Sequence, residues 1–110
     1  MPGDNNRLLL ELSKSLRDIN FDVLNPILPD LSIDDLEPVL RLVARARAAY
    51  IKEIFDLASV TGEELPAPEQ VSQLKQLRET FEELLKGAQA LETTLQRGYI
   101  SIENGKGKPN

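Results

Sequence analysis

The chain has 110 residues and a net charge of −5, with 18 Asp and Glu against 13 Lys and Arg and with neither cysteine nor histidine. That length holds one modest hydrophobic core, and 41% hydrophobic with 28% charged residues is the balance of a chain that folds. The acidic balance disfavours nucleic acid and anionic membranes as partners, and the missing residue types remove disulfides, Cys-based zinc sites and catalysis by thiol or imidazole.

At the N-terminus, MPGDNNRLLLELSKS offers only Leu8, Leu9 and Leu10 as an apolar run, too short for a signal-peptide core. Nothing approaches the ~20 apolar residues of a membrane span, so the expected location is the cytoplasm. No stretch alternates with a strand's period of two, whereas long stretches repeat at three and four. The expected fold is all-α, a three-helix bundle built on a long antiparallel helical hairpin, with residues 1–103 as a single domain.

Leu9, Leu12, Leu16, Ile19 and Val23 place a first helix at about 5–24, with Asp4 as its cap. In NPILPD, Pro26 and Pro29 end it, and Ile27 and Leu28 are expected to plug the linker. A second helix is expected over about 33–59, opened by the Ser32 hydroxyl and by Asp34, Asp35 and Glu37 at its positive end. Pro38 leaves two readings: a bend inside this helix, which is preferred, or a separate turn over 32–35 with Asp35 as the cap. The apolar stripe is drawn through Leu36, Leu40, Val43, Tyr50, Ile54 and Ala58.

After VTGEELPAP, a third helix runs over about 68–97, opened by Pro68 and stopped at Gly98. Leu74, Leu77, Phe81, Leu84, Ala88, Leu91 and Leu95 give it the strongest pattern in the chain. At ~1.5 Å per residue the second and third helices match in length, and the first covers part of the groove between them. Tyr99 and Ile100 are expected to dock on the bundle, and residues 104–110 to form a disordered tail.

One residue is out of place. Arg47 falls near the centre of the stripe drawn on the second helix, where an unpaired guanidinium is costly. Three resolutions stand open. The stem covers apolar surface while the head reaches water; the head pairs with Glu79, Glu82 or Glu83, which lie level with it in a hairpin turning near residue 63; or Arg47 faces a partner chain or an anionic ligand.

Chemical motifs are sparse. DLSIDDLE begins like a calcium loop, but Asp35 stands where that loop needs glycine and Arg41 where it needs a bidentate glutamate. Gly62 and Gly87 are isolated, so there is no phosphate-cradling loop, and Gly87 beside Ala88 is expected to permit close helix approach. No catalytic, metal or cofactor site is expected, and the protein is read as no enzyme.

What remains is a small acidic helical module that binds protein by apolar helix packing, as a homodimeric scaffold, adaptor, chaperone or regulator. The candidate interface residues are Arg47, Tyr50, Ile54, Leu74, Leu77, Phe81, Leu84 and Leu91. The alternatives are an acidic decoy for a nucleic-acid-binding protein and, with less support, a small-ligand carrier.

Overall fold

A computed structural model describes residues 2–103, with side chains from residue 4 onward. It contains three α-helices, α1 (Pro2–Leu24), α2 (Leu36–Thr61) and α3 (Pro68–Gln96), and no strand among the described residues. The chain is all-α, with α2 and α3 packed along each other as a hairpin. Its close contacts fall into two compact units: residues up to 35 together with those from 91 onward, and residues 36–90.

The hairpin unit is held by a heptad seam. On α3 the half-buried positions Leu74, Leu77, Phe81, Leu84 and Ala88 follow the spacing expected from sequence, with Gln70 extending it and Leu85 half-buried beside it. On α2 the buried and half-buried positions are Leu36, Val39, Val43, Ala46, Tyr50, Glu53, Leu57 and, at its end, Thr61. This is a three-and-four repeat, but its phase differs from the predicted stripe. Leu40 and Ile54, placed in the core by sequence, are 62% and 43% exposed, while Val43 and Leu57 are each 7% exposed. At about 100° per residue the packed face is rotated by about 50° from the expected one. Ala46 and Glu53 occupy seam positions without a large apolar side chain, so the neighbouring Leu40 and Ile54 captured the periodicity instead.

Local chemistry explains the helix ends. Asp35 Oδ2 accepts hydrogen bonds from the Ser32 backbone N–H at 2.8 Å and from its hydroxyl at 3.3 Å, and the Asp35 N–H donates to the Ser32 carbonyl at 3.0 Å. The serine and acid therefore close a short 3-10 turn (Ile33–Asp35), and α2 starts at Leu36. Pro38 falls in its first turn, where the missing N–H is tolerated. The bend preferred from sequence gives way to the separate-turn reading, because the Asp35 side chain satisfies the donor that a continuous helix would have left open.

At the start of α3, Pro68 takes the first position and the Gln70 side chain reaches back to accept from the Ala67 N–H at 2.8 Å. At its end Gly98, with φ of 72°, completes a Schellman motif: its N–H donates to Leu95 O at 3.1 Å and the Tyr99 N–H donates to Thr94 O at 2.9 Å. Only glycine adopts that backbone conformation without penalty.

The other unit joins α1 to the end of α3 and the segment after it. Ile100, 5% exposed, is its most buried side chain. Residues 31–33 and Glu103 exchange backbone bonds, Ile33 N–H to Glu103 O at 3.0 Å and Glu103 N–H to Leu31 O at 2.9 Å, which fixes this docking. Arg17 packs its stem over Gly98. Several expectations fail in this unit. Asp4 lies inside the first turn of α1, which begins two residues earlier, rather than capping it. Ile27, 68% exposed, plugs nothing, and Leu28 is also exposed. The expected tail at 104–110 lies outside the described residues.

Candidate functional site

The predicted interface residues divide into three groups. Arg47, Tyr50 and Phe81 meet: the Tyr50 and Phe81 rings stack with centroids 6.2 Å apart and planes at 27°, and the Arg47 guanidinium carbon lies 5.0 Å from the Phe81 centroid. Leu74, Leu77 and Leu84 share the half-buried face of α3 that carries Phe81. Ile54 stands on the exposed column beside the seam, and Leu91 belongs to the other compact unit.

Arg47 is one position outside the true seam. Its column on α2 is Leu40, Arg47 and Ile54, and its guanidinium lies over the ring of Phe81. No carboxylate lies within ion-pair distance among the described residues, which sets aside the pairing with Glu79, Glu82 or Glu83. Phe81, in the same stretch of α3 as those acids, is what the guanidinium meets. A cation over an aromatic face gains electrostatic attraction without surrendering its hydration, and the planar guanidinium suits that geometry.

Charge elsewhere is neutralised locally. Glu37–Arg41 at 2.8 Å, Lys52–Asp56 at 2.7 Å and Arg78–Glu82 at 3.8 Å are exposed pairs four residues apart. The hydrogen bond and proximity of Asp56 hold the Lys52 ammonium above its ordinary range. Among the described residues there is no cluster of acids fit to hold a metal, and no buried side-chain polar atom lacks a partner. Gly87 has open space where its Cβ would be, so the close approach expected there is absent.

An open recess of about 450 Å³ is lined by Leu10, Ser13, Lys14, Leu16, Arg17, Arg97 and Tyr99. A second one, of about 520 Å³, shares Arg17 with it and is lined also by Asp18, Phe21, Asp22 and Gly98.

The largest unsatisfied feature is one whose pattern sequence reading found and whose exposure it missed. Leu9, Leu12, Leu16, Ile19 and Val23, expected to cover the hairpin groove, are 61%, 55%, 43%, 61% and 59% exposed. The side of α1 that packs carries Arg17, Asn20, Phe21 and Leu24, rotated by roughly a third of a turn from that stripe. Every described side chain from residue 4 to residue 19 is exposed. A smaller exposed set on α2 has Leu40 and Ile54 bordering the seam and Ile51 and Phe55 further round. No helix among the described residues is long and apolar enough to cross a membrane. No family model, no curated protein and no solved structure matches the chain.

Proposed function

We propose that this chain is a protein-interaction module that self-associates by apolar helix packing, acting as a homodimeric scaffold. Adaptor, chaperone and regulator roles would use the same surfaces with another partner. One observation carries the reading: a complete heptad stripe of large aliphatic side chains on α1 stands open to solvent. The largest contiguous apolar patch on a soluble monomer typically measures about 300 to 600 Å² and is often functional, and this stripe stands at the upper end of that range. A cysteine-free chain suits a reducing compartment, in keeping with a cytoplasmic setting.

The acidic-decoy alternative has less support, because the carboxylates of α2 and α3 are interleaved with Lys and Arg and several are locally paired. Sedimentation equilibrium over a wide concentration range tests the proposal. The expected outcome is a mass rising from that of a 12.3 kDa chain towards twice that value. A mass that stays at 12.3 kDa throughout refutes self-association.

A further inference from the structure

We infer that the occupant of the exposed α1 stripe is the α1 stripe of a second copy of this chain. The inference rests on the self-association proposed above and names the surface that performs it. Leu9, Leu12, Leu16, Ile19 and Val23 sit at alternating intervals of three and four, the spacing at which one helix interlocks with another as knobs into holes. Such a stripe is complementary to a copy of itself, as a twofold interface requires.

The flanks of the stripe argue for a second copy over a different partner. Paired helices choose partners chiefly through charges bordering the seam, where opposite signs attract and like signs repel. On α1 the bordering positions are Leu8, Ser15 and Asp22 on one side and Asn6, Ser13 and Asn20 on the other. Five of these six carry no charge, so two identical helices meet almost no like-charge conflict, and a charged partner finds little to recognise. The helix's remaining charges, among them Arg7, Glu11, Lys14 and Arg17, lie further round and stay in water.

Area is consistent with this occupant. Leu8 and the five stripe residues each expose on the order of 100 Å² of apolar surface, or roughly 500 to 600 Å² per chain. A stable interface buries about 800 Å² per partner, and the small polar flanks supply the remainder. The α2 flank of Leu40, Ile51, Ile54 and Phe55 is the weaker candidate, since Arg47 stands in the same column and its head is engaged with Phe81.

The test uses the full chain. Leu12→Glu together with Ile19→Glu places charges in the stripe while leaving every packed side chain untouched, and circular dichroism checks that the hairpin remains. Sedimentation is expected to show the dissociation constant raised at least ~100-fold, the loss of two central anchors. Because the chain has no cysteine, Leu9→Cys and Ile19→Cys offer unique sites for a short bismaleimide cross-linker. Cross-linking of each variant with itself, or only of the two mixed, supports pairing through α1 in parallel or antiparallel orientation respectively. Association unchanged by the glutamates, with no cross-link in any combination, overturns the inference and leaves self-association standing through another face. A wild-type chain that is monomeric throughout overturns both.

Discussion

The contact of Arg47 with Phe81 makes a prediction that separates it from both an ion pair and a bystander. Arg47→Met keeps most of the aliphatic stem and removes the cation; Phe81→Leu removes the ring and keeps an apolar side chain. Phe81→Leu alone also loses the stack on Tyr50, so neither single variant isolates the pair, whereas a double-mutant cycle does. The guanidinium carbon is 5.0 Å from the ring centroid, inside the ~6 Å reach of the interaction, but Arg47 is exposed and Phe81 half-buried. The coupling therefore belongs at the weak end, about 0.5 to 1 kcal/mol. Urea unfolding of the four proteins, at one protein concentration so that association contributes equally, measures it. Because the ring is neutral, the coupling should persist at high salt, where an exposed ion pair fades. A coupling below about 0.3 kcal/mol, the usual scatter of additivity, refutes the reasoning. So does a coupling that disappears with salt or on replacing Glu79, Glu82 and Glu83 by glutamine, since that returns Arg47 to a carboxylate partner.

The phase of α2 is checked by truncating neighbours: Leu57→Ala, at a position 7% exposed, should destabilise by about 2 to 3 kcal/mol, while Leu40→Ala, at one 62% exposed, should cost under about 1 kcal/mol. Equal losses in urea unfolding would restore the stripe drawn from sequence. The side chains of residues 4–19 are all exposed, with the Arg17 stem lying against Gly98, and an isolated helix of that length is marginal in water. Helical circular dichroism per residue should therefore rise with protein concentration in step with the sedimentation mass; a constant signal across the dimerisation range would contradict coupling between α1 order and association.

How much of this could be read from residues alone depends on how unmixed each helix is. In α3 all the expected seam residues from Leu74 to Ala88 are apolar or small and no second apolar column competes, so period and phase were both legible. In α2 two columns compete. Ala46 and Glu53 dilute the true seam, Leu40 and Ile54 enrich its neighbour, and periodicity alone picks the more apolar of the two. Arg47 looked misplaced because of that one-position error: it borders the seam, and its partner is a ring on the facing helix that no spacing rule on α2 contains. At Pro38 both readings were written in the sequence, and the choice between them depended on the Asp35 side chain turning back to Ser32. In α1 the stripe itself was correct. Hydrophobic periodicity reports which face avoids water, and says nothing about which surface covers it.

If α1 is the surface of self-association, its disposition links stability to association. Among the described residues only Val43, Leu57 and Ile100 are buried, and no side chain is fully enclosed. A single copy thus keeps much of its aliphatic surface in water, and the conformational entropy of ordering its helices is offset by a thin core. Any partner that binds the folded chain and not the unfolded one adds to its stability by mass action. Pairing through α1 would do so where the single chain is weakest, along the turns of α1 that its own residues leave unsupported. Burial of the α1 stripe inside one chain would have made a better monomer and removed the surface for a second copy. Instead α1 docks with Arg17, Asn20, Phe21 and Leu24, a face of mixed polarity, and keeps its most regular aliphatic repeat outside. That allocation lowers the stability of one copy and raises the gain from two, the relation expected of a chain whose folded state is completed by assembly.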